Sequence, residues 1–210
     1  MTLDTSPNIG LGQLAREGFI VLLQAVNEAI EQQNEYWKPY DEELSSLRSI
    51  DYEALEVEAV LPENFYLGHN PSLIEAPIDK YPNVAVDADR AGSALSDDLD
   101  QAQMFGVSLY IEFMVKSEKS EEEVSARAAR MLDAINVCMM SNRTLRGATH
   151  ELGDTPTAQL SDVFVRAGDT SYGERWFWRG GRLEYDVTKV SQFPSGSSLN
   201  AADLASIDQA

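Results

Sequence analysis

Between Leu11 and Tyr36 the apolar residues Phe19, Leu22, Leu23, Val26 and Ile30 recur at helical spacing and form one stripe. The spacing predicts an amphipathic helix. Lys38-Pro39 is expected to end it, because a residue before proline is pushed out of the α region. Asp41-Glu42-Glu43 then suits the acidic first turn of a second, short helix ending near Ile50.

From Ala54 to Leu61 the period changes to two. Leu55, Val57, Ala59 and Leu61 alternate with Glu56, Glu58 and Val60, which predicts a strand with one wet face. Glu63 to Tyr81 reads as a long connection, Asn83 to Asp87 as a second strand, and Asp87 to Gln103 as a polar, acidic excursion. Phe105 to Lys116 alternates longest, with Val107, Leu109, Ile111, Phe113 and Val115 on one side.

A helix follows. Ser120 and Glu123 have capping-box spacing, and Glu121 and Glu122 suit the positive helix end. Val124, Ala128, Met131, Ile135 and Cys138 trace its apolar face, with Asn142 and Gly147 as candidate exits. Strands are expected again over Thr149–Leu152 and Leu160–Arg166. "ERWFWRGGRLEYDVTKV" predicts a hairpin turning at Gly180-Gly181. The sum is an α/β (α+β) fold: a mixed, mainly antiparallel sheet with an N-terminal and a central helix on one face. Residues 11–193 are expected to make one domain between a flexible start (1–10) and a flexible tail (194–210).

Composition narrows the function. With 35 acids against 16 bases the 210-residue chain carries −19, which argues against binding nucleic acid or anionic membranes. The opening residues predict no targeting signal, and no apolar run is long enough to span a bilayer. The charge is uneven. Arg143 to Val190 holds seven bases and seven acids, so the whole excess lies elsewhere. On charge alone that division is first a matter of solubility; it also suits self-association, with an arginine-bearing surface of one copy meeting an acidic surface of the next.

The candidate chemistry is sparse. The single cysteine, Cys138, excludes an internal disulfide and lies on an apolar helix face, where it reads as core. His69 and His150 lack partners at ligand spacing. "DADRAGSALSDD" places Asp87, Asp89 and Asp98 at calcium-loop positions 1, 3 and 12, but Ala91 and Leu95 occupy two further ligand positions. Trp176 and Trp178 share a strand face suited to a core or a subunit interface. The sequence shows no phosphate loop, nucleophile elbow or zinc motif, so the expectation is no enzyme, no cofactor and no metal.

"YPNVAVD", "FGVSLYIEFMVKS" and "EEEVSARAARMLDAINVCMMSNRTLRGATHEL" together resemble the tail-terminator (tail-completion, or neck) proteins of long-tailed bacteriophages. The resemblance covers about Leu55 to Val190 in element order and is sharp over Gly106 to Gly147. It implies an α/β sandwich in a virion, assembled in the host cytoplasm. Six copies would form a ring that caps the tail tube and joins it to the head connector, with DNA passing through unbound. It also implies contact roles for Asn142, Arg143 and Arg146, beside Trp176 and Trp178. The alternatives are another head–tail joining protein (neck adaptor or head-completion), a calcium-dependent module on the three aspartates, and an acidic DNA mimic.

Overall fold

The computed structural model describes residues 11–48, 55–68, 81–94, 102–145, 151–153, 155–167 and 175–192. Two helices pack on one face of a mixed, mostly antiparallel sheet. Helix α1 spans Leu11–Arg48 and α2 spans Glu121–Ser141. The strands are β1 (Phe65–Leu67), β2 (Asn83–Ala94), β3 (Ala102–Ser117), β4 (Glu151–Leu152), β5 (Thr157–Leu160), β6 (Phe164–Ala167) and β7 (Arg175–Gln192). The order is β1-β2-β3-β7-β4, with β5 and β6 also pairing β7. Only β1 and β2 run parallel.

The central pair is β3 with β7, in register from Ala102↔Gln192 to Ser117↔Phe177. Leu109, Ile111, Phe113 and Val115 point to the helices, as their alternation predicts, and meet Val84 and Val86 of β2 and Leu183 and Tyr185 of β7. Val124, Ala128, Met131, Ile135 and Cys138 of α2 close over them. The expected α2 cap forms: Ser120 accepts from the Glu123 amide at 3.2 Å. The Glu123 carboxylate accepts from the Ser117 hydroxyl at 2.8 Å, so strand and helix are tied across their turn.

The predicted Gly180-Gly181 hairpin is wrong. Both glycines lie inside β7, an unbroken strand of 18 residues. A Cβ on Gly180 would stand 2.7 Å from the Phe113 carbonyl oxygen, and one on Gly181 would stand 2.6 Å from the Phe113 ring. Here glycine marks a close approach within the sheet. The far edge of β7 is covered piecewise by β4, β5 and β6 in turn. Leu160–Arg166, expected as one strand, breaks at Ser161, whose hydroxyl accepts from the Gly180 amide at 3.1 Å.

Helix α1 also departs from expectation. It passes through Lys38-Pro39 and absorbs the separate helix predicted from Asp41. Proline inside a helix costs roughly 3 kcal/mol, and two contacts flank this one. Tyr36, Trp37 and Tyr40 form an aromatic cluster across Pro39, with Trp37 and Tyr40 centroids 5.5 Å apart. Asp41 makes a buried ion pair with Arg130 of α2, the two side chains only 3% and 5% exposed.

The strand expected over Ala54–Leu61 does not form among its described residues, 55–61, which run outside the sheet. Asn34 accepts from the Val57 amide at 3.0 Å and donates to its carbonyl at 2.9 Å. Asn27 treats Val60 alike, at 2.9 and 3.0 Å. Two helical turns rise about 10.5 Å and three extended residues span about 10 Å, so the spacings match. Leu55 and Val57 are buried as the predicted phase requires, but Ala59 and Leu61 are exposed and Val60 is buried, so the phase reverses after Val57. The acidic excursion is shorter than expected, because β2 continues to Ala94 and β3 begins at Ala102. Strand β1 lies inside the expected connection from Glu63. Residues 1–10 and 193–210 lie outside the described residues.

Gly181→Ala should lower stability by about 1–3 kcal/mol through overpacking against Phe113. Gly180→Asn, harmless in a hairpin turn, should be destabilising as well; thermal melting of both variants checks this. Asp41→Ala strands a buried guanidinium and should cost about 3–5 kcal/mol in urea unfolding. Asp41→Leu combined with Arg130→Met should recover most of that loss.

Candidate functional site

The face of the sheet away from the helices is built by the other half of each strand's alternation. Ser108, Tyr110, Glu112, Met114 and Lys116 of β3 lie in register with Asp186, Glu184, Arg182, Gly180 and Trp178 of β7. Asp87 and Asp89 of β2 stand opposite Tyr110 and Ser108. This face therefore has an aromatic end and a charged end.

At the aromatic end Tyr81, Met114 and Trp178 pack together, with Trp176 beside them. The Trp178 indole N–H is buried without a hydrogen-bond partner. The Lys116 ammonium sits 5.1 Å from the centre of the Trp176 ring. Trp176 and Trp178 do share a face, as the strand period requires. Phe164, opposite Trp178 on β6, is 45% exposed.

At the charged end the Arg182 guanidinium lies 4.0 Å over the Tyr110 ring and 3.4 Å from the Glu112 carboxylate. A shallow recess of about 270 Å³ lies beside it, lined by Gly68, Ala85, Asp87, Asp89, Tyr110 and Arg182 among others. Asp87 and Asp89 sit on a strand rather than a calcium loop, and Asp87 accepts from the Ala88 amide at 2.8 Å. Asp98 lies outside the described residues, as do His69 and His150. Among the described residues no three His, Cys, Asp or Glu side chains are grouped to hold a metal ion.

The exit of α2 is internally braced. Asn142 caps the helix, its side chain donating to the Cys138 carbonyl at 2.8 Å. The Arg143 carbonyl accepts from the Leu152 amide at 3.0 Å, and the Arg143 side chain donates to the Leu152 carbonyl at 3.3 Å. Leu145, at φ 44, is buried between them and the core. Arg146 and Gly147 lie outside the described residues. The exit thus ties α2 to β4.

Cys138 is core, as its place on the helix predicts. Burial, and secondarily the nearby Glu28 carboxylate, push its thiol up to about 11. Tyr185, against the same helix, donates to Asn136 at 3.2 Å, and burial first and Cys138 second raise its hydroxyl as well. Neither group is set up as a nucleophile or base near neutral pH.

Comparison with protein-family models and with curated proteins gives no match. Among the described residues no helix is long and apolar enough to cross a membrane.

Sequence reasoning missed two features. The Arg182–Tyr110–Glu112 stack depends on register between distant strands and has no local signal. A second apolar run on α1, at Tyr36, Tyr40, Leu44 and Leu47, did have one: its spacing of three and four.

Native Cys138 should react with a thiol reagent roughly 100-fold more slowly at pH 8 than in denaturant, from thiolate fraction alone. Its pKa is raised on folding, so the unfolded chain ionises first as pH rises. The stability it contributes should decline from about pH 9 towards about 11. Urea titrations of the native chain and of Cys138→Ala across that range check the sign.

Proposed function

We propose that this chain is a non-enzymatic virion protein, a ring that terminates a phage tail tube and joins it to the head connector. The observation that carries the reading concerns β3 and α2, the stretch on which the family resemblance is sharp. They are the central strand and central helix of a two-layer body. Its helix-free face offers exposed Asp89, Gln159, Phe164, Arg182 and Asp186 to a neighbour. Contact roles for Trp176 and Phe164 fit that face, whereas Asn142 and Arg143 act on the neighbour only through the exit they brace.

Charge supports the same reading. Six copies would carry about −114 in all, and an acidic lumen repels phosphates and so leaves DNA free to slide. A closed ring also needs two different patches that meet, and the neutral and acidic parts of the chain differ in that sense.

Native mass spectrometry of the full chain, alone and with purified tail tubes, tests the proposal. Six protomers are expected, or a monomer that becomes hexameric on the tubes. A monomer under both conditions overturns it, as does a calcium-dependent rise in melting temperature of the size a specific site gives.

A further inference from the structure

Apolar burial holds only the first part of α1. Leu22, Val26, Ala29 and Ile30 are buried against the sheet and α2. From Glu31 to Arg48 the only buried residue is Asp41. Tyr36, Tyr40, Leu44 and Leu47 on those turns are 61%, 52%, 40% and 73% exposed, and Trp37 is partly buried. The contacts that dock this stretch are polar. Before Pro39, Asn34 brackets Val57. After it, Asp41 pairs with Arg130 of α2, whose guanidinium also lies 6.0 Å from the centre of the Trp37 ring. Arg48 pairs with Glu122 at the surface, where solvent weakens the attraction.

The chain beyond Pro39 is a poor helix without those contacts. Proline has no N–H to give the Glu35 carbonyl. Tyr40 to Arg48 is also shorter than the roughly 12–15 residues an isolated helix needs in water. The buried seam is incompletely satisfied as well. The Trp37 indole N–H, one Asp41 oxygen, the Ser45 hydroxyl and one Arg130 nitrogen are buried with no hydrogen-bond partner. Such groups are hydrated once they are uncovered, so opening this seam costs less than opening an apolar one.

We infer that Tyr40–Arg48 is a latched arm, with the Asp41–Arg130 pair as its latch. The arm undocks and loses its helix as a unit about Pro39, while the first part of α1 stays folded on the sheet. The strap at Val57 and Val60 stays too, because Asn27 and Asn34, which hold it, both precede the hinge. Tyr40, Leu44 and Leu47 share one face only while the arm is helical, so the surface they form exists only in the latched state. A molecule bound there would hold the latch shut, since it binds one of two states. The inference does not rest on the ring reading above.

Hydrogen exchange of the full chain, read amide by amide by NMR, tests it. In the native chain the Glu42–Arg48 amides should exchange at least tenfold faster than those of Val21–Ile30, and their rates should barely change in urea below the unfolding transition. Arg130→Met leaves the arm's own sequence intact. It should speed the Glu42–Arg48 amides about tenfold or more and leave the Val21–Ile30, Val57 and Val60 amides protected. Adding Asp41→Leu should restore protection, and Pro39→Ala in the native background should slow exchange of the arm. One common rate and one urea dependence along the whole of α1 would mean that the helix opens as a single piece, which overturns the inference; this native-chain measurement decides even where Arg130→Met does not fold. Unchanged arm amides in a folded Arg130→Met chain remove the latch, and unchanged exchange in Pro39→Ala removes the hinge.

Discussion

Phe113 occupies the space that a side chain at residue 181 would need, and the rest of the sheet follows from that exclusion. Because residues 180 and 181 are glycine, β7 passes Phe113 without bending away. One strand then serves β3 along one edge and β4, β5 and β6 along the other. The same Phe113 faces the helices and is fully buried. The glycine pair therefore lets a large aromatic side chain of β3 sit at the junction of sheet and helix layer. Dispersion contacts of that kind are individually small and collectively large.

Much of the fold was legible in the chain where local and tertiary signals agree. Strand β3 alternates over its whole length, and α2 has a cap, an acidic first turn and one apolar face. Each signal asks for the same structure. The failures share a different cause. Gly180-Gly181 and Lys38-Pro39 are strong local stop signals, yet a distant partner reverses each: Phe113 in the first case, Arg130 with the aromatic cluster in the second. Periodicity over Ala54–Leu61 suggested a strand and could not report that Val57 and Val60 are held by side chains instead of by a sheet.

The candidate interaction surfaces were legible to a lesser degree. The shared face of Trp176 and Trp178 follows from strand period alone. The arginine over Tyr110 does not, since it depends on residues 72 positions apart meeting in register. The bare stripe on α1 was written in the spacing of its aromatic and leucine residues, and the proline hid it. A surface formed by continuing a core pattern past the core is hard to see unless the helix is known to continue.

The asparagine brackets at Val57 and Val60 have a dynamic consequence. Segments in a sheet are protected by neighbouring backbone, whereas this one is protected by two amide groups projecting from α1. Local opening of the sheet leaves the strap in place, and fraying of the middle of α1 releases it. Its motions are those of the helix rather than those of the sheet.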